Sequence, residues 1–179
     1  MNEKRLYFAY GSNINLQQMA FRCPDAKVVK PVDLHDYFLT YRGGGVATVI
    51  PKEGAKVQGL MWEITPECEK SLDRYEGYPG YYHKKDVTVT DPETGDEFTV
   101  MMYEMDEKYK MPAIPSRAYF DGILKGYLDN NMDPRPLLRS LRKVKEEYRK
   151  ELNKGWNLFN SYDTPQNPSS KKKKHDHER

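Results

Sequence analysis

The sequence predicts an α+β fold, built on a small and largely antiparallel sheet that curls toward a barrel with helices flanking it. Three observations carry this. Five or six short runs are rich in aromatic and β-branched residues, a Pro-Gly turn joins the last two as a hairpin, and helical patterning gathers after residue 115. Strand and helix signals do not alternate as a doubly wound parallel sheet requires, and a small aromatic sheet gains by closing its edges.

The elements follow in order. Residues 6–10 read as a buried strand running into the tight loop Gly11-Ser12-Asn13, after which Asn13 or Asn15 caps a short helix to about Phe21, ahead of Pro24. Further strands are expected over 38–41, 46–50, 57–64, 82–90 and 98–105. Asp91-Pro92-Glu93-Thr94-Gly95-Asp96 supplies the hairpin turn. Between strands, a helix over 66–75 has Thr65 as N-cap, Pro66 at its first position and Gly77 past its end, which leaves Glu76 where the helix stops. Ser116 caps a helix to about Asn130, and Asp133-Pro134 starts another over 134–152. Its apolar stripe is Leu137, Leu138, Leu141, Val144 and Tyr148.

At 179 residues the chain holds one core, so residues 1–161 are expected to form one domain and the polar, Pro-containing stretch 162–179 a disordered basic tail. Residues 170–179 carry five Lys or Arg against one Asp and one Glu, which accounts for more than the net +2 and leaves the body at −1. A near-neutral body argues against a nucleic-acid partner, whose binding face would be basic. The apolar start is too short for a signal peptide and no run approaches a membrane span, so a cytoplasmic protein without a membrane partner is expected. Cys23 and Cys68 form neither a disulfide framework nor a metal cluster. His35 and His83 are isolated, and His175 and His177 belong to the tail, so no metal site is expected.

The loop after the first strand is the first candidate site. Glycine lets a ligand approach the backbone, and consecutive N–H groups at a strand-to-helix transition can hold an anion, although a Gly-Ser-Asn turn serves equally well to cap a helix. The loop has company. Leu6-Tyr7-Phe8-Ala9-Tyr10-Gly11-Ser12-Asn13 resembles the signature strand and loop of the γ-glutamylcyclotransferase family, within the wider avirulence-induced-like group. Gly44-Gly45-Val46-Ala47-Thr48-Val49 is similar to its Gly-Gly-hydrophobic-Ala-Thr strand, Asp73-Arg74-Tyr75-Glu76-Gly77 to the segment holding its catalytic glutamate, and Pro115-Ser116-Arg117-Ala118-Tyr119 to its Pro-Ser-x-x-Tyr helix start. The four motifs occur in the family's order, and the resemblance spans roughly residues 5–131. Ile14 departs from a commoner leucine, and nothing after Met132 has an assigned counterpart.

The resemblance implies a small mixed β-barrel with flanking helices. It also implies Glu76 as general acid/base, a substrate-binding loop of Tyr7, Phe8, Ala9, Tyr10, Gly11 and Ser12 with Asn13 beside them, and a substrate contact at Tyr119. The implied reaction closes a γ-glutamyl amide onto its own α-amine, giving 5-oxoproline and a free amine, with a small γ-glutamyl molecule as substrate. It needs no metal or cofactor, because one carboxyl can carry both proton transfers. The chemistry sets a condition: with an unperturbed Glu near ~4.3 and an α-amine near ~8, the first transfer is uphill by ~5 kcal/mol, so Glu76 must be desolvated. Tyr75, Tyr78, Tyr81 and Tyr82 are the expected surroundings. Without the resemblance, a glutamate before a helix-ending glycine reads as a surface residue. A γ-glutamylamine or specialised γ-glutamyl-metabolite cyclotransferase and a non-catalytic small-molecule-binding or interaction module of the same fold are the alternatives, and the oligomeric state, a homodimer included, is left open.

Overall fold

A computed structural model describes residues 4–162, the last four by backbone alone. The expected basic tail lies outside the described residues. The elements are β1 (Arg5–Ala9), a one-turn 3-10 helix (Ser12–Ile14), α1 (Leu16–Arg22), β2 (Lys27–Arg42), β3 (Val46–Ile64), α2 (Pro66–Glu76), β4 (Tyr82–Thr90), β5 (Glu97–Met105), α3 (Arg117–Asp129) and α4 (Arg135–Tyr162). The strands close into a barrel in the order β1-β3-β2-β4-β5. The seam between β1 and β5 is parallel, with Tyr7 opposite Met101, and the other pairs are antiparallel. The expected mixed barrel is therefore the observed one.

Local chemistry sets most of the helix ends. Thr65 Oγ1 accepts from Cys68 N–H at 3.2 Å, Pro66 opens α2, and Gly77 closes it with a left-handed φ of 64°. Ser116 Oγ accepts from Tyr119 N–H at 3.2 Å to start α3. Of the two candidate caps for α1, Asn15 is the one used, its Oδ1 accepting from the N–H groups of Gln17 and Gln18 at 3.1 Å. Asn13 is thereby free to act elsewhere. The β4–β5 turn folds as expected, with Asp91 N–H donating to Asp96 O at 2.8 Å and Lys30 paired with the Asp91 carboxylate.

Two strands differ from expectation. β2 begins at Lys27 rather than near Phe38, and the runs 46–50 and 57–64 are two ends of the single strand β3. Register along this pair jumps from His35–Lys56 to Tyr37–Pro51, so residues 52–55 bulge out opposite Asp36, whose carboxylate accepts from Gly54 N–H at 2.9 Å. Charged residues and these irregularities break the period-two pattern that marks a strand in sequence.

The core contains fully buried Phe8, Ile14, Met19, Leu60, Met61, Ile64, Leu72, Met101 and Ile123. Within the compact unit ending at Tyr148, Leu137 and Val144 of α4 are buried, whereas Leu138 and Tyr148 are exposed and buried Ser140 completes the packed stripe. The second unit contains the rest of α4, helical through Tyr162 rather than ending near Leu152, with Lys154 paired to Glu151 at 2.6 Å. No helix among the described residues is long and apolar enough to cross a membrane.

α3 is set close against the loop that follows β1. A Cβ at Gly126 would lie 2.8 Å from the backbone of Ile14 and Asn15, so glycine is what permits this approach. Asn15 Nδ2 donates to Gly122 O at 2.9 Å and Asn130 Nδ2 to Ile14 O at 3.2 Å, holding loop and helix together.

Candidate active site

A cavity of about 190 Å³ opens where β1 ends, between the ends of α2 and β5 and the starts of β3, β4 and α3. Seven tyrosines line it, Tyr7, Tyr10, Tyr75, Tyr81, Tyr82, Tyr103 and Tyr119, together with Gly11, Ser12, Asn13, Val46, Ala47 and Glu76. Glu76 alone carries a charge among the described residues of this lining. The helix cap explains its location: Gly77 turns the chain away, leaving Glu76 as the last residue of α2 at the cavity wall.

Glu76 is half-buried. Burial raises its pKa to about 7, while the positive charge of Arg22 and a hydrogen bond from Asn13 pull the other way. That bond runs from Asn13 Nδ2 to Glu76 Oε1 at 2.9 Å, and the same amide donates to Tyr7 Oη at 2.8 Å. The tyrosines are fixed by their hydroxyls. Tyr10 donates to Tyr103 O at 2.5 Å, Tyr82 to Ala47 O at 2.6 Å and Tyr103 to Asp73 Oδ1 at 2.6 Å, while Tyr119 Oη accepts from Ala47 N–H at 3.0 Å. Burial, with neighbouring charge added, lifts the pKa values of Tyr7, Tyr10, Tyr82, Tyr103 and Tyr119 above the ordinary tyrosine value. These rings therefore stay neutral near pH 7, as fixed dipoles around one titrating carboxyl.

The expected site residues Tyr7, Tyr10, Gly11, Ser12, Asn13, Glu76 and Tyr119 are brought to this one cavity. Phe8 and Ala9 are not among its lining. Both are buried in the core, and Phe8 fills the space over Gly59, where a Cβ would sit 2.3 Å from the ring. Strand alternation accounts for Phe8, since neighbours along β1 face opposite sides. Tyr78 also stands apart from the other three tyrosines expected around Glu76: it is exposed, with Lys84 Nζ 4.8 Å from its ring centre. Sequence reasoning missed Tyr103 and Arg22. The one signal for Tyr103 was an excess of tyrosine over phenylalanine, fourteen against six, as if hydroxyls were wanted in the interior. Arg22 closes a short helix and gave no signal.

Fold and site together define a class: a closed five-stranded barrel with one half-buried carboxyl, poised near neutrality, in a tyrosine-lined cavity of small-molecule size. The family described as gamma-glutamyl cyclotransferase, AIG2-like, matches residues 7–121, and the chain belongs to it. The chain is similar to the gamma-glutamylcyclotransferase of Bos taurus, with 33% identity over 162 residues, 84% of this chain and 78% of the relative. Its likeness to that of Homo sapiens is 32% over 141 residues, 73% of each chain. A solved gamma-glutamyl cyclotransferase superposes with a TM-score of 0.68 at 31% identity, covering 80% of this chain and 87% of that one. A Mus musculus AIG2-like protein shares the fold, with a TM-score of 0.52 at 19% identity, covering 65% of this chain and 82% of that one.

Proposed function

We propose that this protein is a γ-glutamyl cyclotransferase in which Glu76 carries the proton from the substrate's α-ammonium to its departing nitrogen. The freed α-amine attacks the γ-carbonyl, Glu76 protonates the departing nitrogen as its C–N bond breaks, and the regenerated carboxylate passes the second proton of the ring nitrogen to the released amine, so the products are 5-oxoproline and that amine in its ammonium form. The observation that carries this reading is the state of Glu76. With its pKa raised to about 7, proton transfer from an α-ammonium near ~8 is uphill by ~1.4 kcal/mol, in place of ~5 kcal/mol for an unperturbed glutamate. A carboxyl so poised can both take and return a proton.

The loop supports the rest. Ser12 and Asn13 open a 3-10 turn, so their N–H groups have no acceptor inside it and are available to anionic oxygens of the substrate, the α-carboxylate or the developing oxyanion. The walls favour the folded conformer of the γ-glutamyl arm, and ring closure gains from such confinement. The same reading places the protein in a reducing cytoplasm, where Cys23 and Cys68 remain buried free thiols, as cell fractionation would check.

The test is a panel of γ-glutamyl dipeptides, glutathione and γ-glutamyl-lysine, with 5-oxoproline followed by mass spectrometry. Product is expected from at least one member, and Glu76→Gln is expected to lower kcat by ~10²–10⁴-fold. No product from any member would leave the fold as a binding module, and near wild-type turnover in the variant would remove Glu76 from the chemistry.

A further inference from the structure

We propose that Arg22, the last residue of α1, is the positioning residue of this site: it locks the Asn13 side chain in the one orientation that donates to both Tyr7 and Glu76. The proposal rests on the acid–base reading of Glu76 given above. A side-chain amide has an acceptor end and a donor end, and only its partners decide which way it points. Arg22 has donors alone. Its Nη1 donates to Asn13 Oδ1 at 2.6 Å, which turns Nδ2 toward Tyr7 Oη at 2.8 Å and Glu76 Oε1 at 2.9 Å.

The rest of the guanidinium is fixed as tightly. Nη1 also reaches Ser12 Oγ at 3.1 Å, and Nη2 donates to Gln18 Oε1 at 2.7 Å. Its Cζ lies over the Tyr75 ring, 3.6 Å from the ring centre, and Tyr75 Oη is 3.0 Å from Ser12 Oγ. Arg22 O accepts from Ser71 Oγ at 2.7 Å, joining α1 to α2. One side chain thus ties the loop after β1 to the helix that presents Glu76, without itself lining the cavity. A planar fork is needed for this; a lysine offers a point charge instead.

Arg22 has a second effect on the same carboxyl. The titratable side chains lining the cavity with Glu76 are Tyr75 on α2, Tyr81 just before β4, Tyr7 and Tyr10 at β1, Tyr82 on β4, Tyr103 on β5 and Tyr119 on α3, and burial holds Tyr7, Tyr10, Tyr82, Tyr103 and Tyr119 neutral. Behind Tyr103, Asp73 is paired with Lys84 at 2.9 Å. Among the described residues Arg22 is the cation that acts on Glu76, and it favours the ionised base. An Asn13 amide released to flip would present its oxygen to that carboxylate and disfavour ionisation further.

The experiment compares Arg22→Gln and Arg22→Lys with the full-length protein. It titrates Glu76 by carbon NMR, with Glu76→Gln to assign the signal, and follows the pH profile of kcat/KM on a γ-glutamyl dipeptide. In Arg22→Gln the Glu76 midpoint and the acid limb of the profile should both rise by about one pH unit, so that activity falls about tenfold more near pH 6 than near pH 9. Arg22→Lys keeps the charge but not the fork, so its limb should rise by less than in Arg22→Gln, while kcat at the plateau falls about tenfold. An unmoved or lowered midpoint in Arg22→Gln, or Arg22→Lys with wild-type kcat, overturns the proposal. Equal loss at all pH values with a lowered Tm would reduce Arg22 to a packing residue. Should the wild type release no 5-oxoproline while the midpoint still rises in Arg22→Gln, the cyclotransferase reading fails and the role of Arg22 stands.

Discussion

Replacing Glu76 with glutamine should make the protein more stable at alkaline pH while disabling it. The folded state holds the Glu76 proton up to about pH 7, against an ordinary value of 4.5, because burial disfavours the charged form. The folded chain therefore binds this proton more tightly than the unfolded chain does. Its stabilising contribution is full below the unfolded value and is lost as pH rises through 7. At ~1.36 kcal/mol for each pH unit that separates the folded and unfolded values, the wild type should lose ~2.5 kcal/mol between about pH 5 and pH 8 through this one group. Glutamine keeps an acceptor for Asn13 and never charges, so the variant is spared the loss. Its stability relative to wild type should climb by ~2.5 kcal/mol over that interval, or ~5–10 °C in Tm for a chain of this size. Urea or thermal unfolding of both proteins at the two pH values measures the difference, and titrations common to both cancel. A difference that is the same at both pH values, or that grows toward acid, would refute the account of Glu76 as a carboxyl destabilised by burial.

The surrounding scaffold yields two more expectations. Tyr119→Phe removes the acceptor for Ala47 N–H in the cavity wall, which should cost ~1–3 kcal/mol and raise KM several-fold. Unchanged Tm and KM would take Tyr119 out of the site. Gly126→Ala places a methyl 2.8 Å from the backbone of Ile14 and Asn15, so α3 or the loop must move; a loss of ~1–3 kcal/mol with a fall in kcat/KM is expected. Wild-type unfolding and kinetics would mean that the loop does not depend on this close approach.

Much of the fold was legible where short-range chemistry decides it. Thr65, Pro66 and Gly77 mark both ends of α2 within a dozen residues, and they place Glu76 at the helix end without tertiary information. Ser116 and the 91–96 turn are equally local signals. β2 was legible only in its last third. Over residues 27–37, Lys27, Lys30, Pro31 and Asp36 interrupt any alternation, and irregularities at Val28/Lys30 and His35/Tyr37 shift the register. What holds that stretch extended is its ladder to β3, and a ladder has no signature in one strand's own sequence. Phe8 and Ala9 show the reverse difficulty. Their motif is contiguous and neither lines the cavity; β1 turns Phe8 to the face opposite Tyr7, while Ala9, on the Tyr7 face, is buried in the core.

The sequence by itself determined the caps of α2 and α3, the hairpin, the loop after β1 and the end of α2, because each depends on residues a few positions apart. It also implied that the glutamate must be desolvated, since ring closure by one carboxyl demands it. Only the tertiary structure decided how that condition is met. Tyrosines from five strands and helices converge on one carboxyl, Asn13 reaches Glu76 across 63 residues of chain, and Arg22 sets the direction of that hydrogen bond. A pKa and an amide orientation are properties of surroundings, and these surroundings exist only when the barrel closes and brings α1, α2 and α3 to the same end.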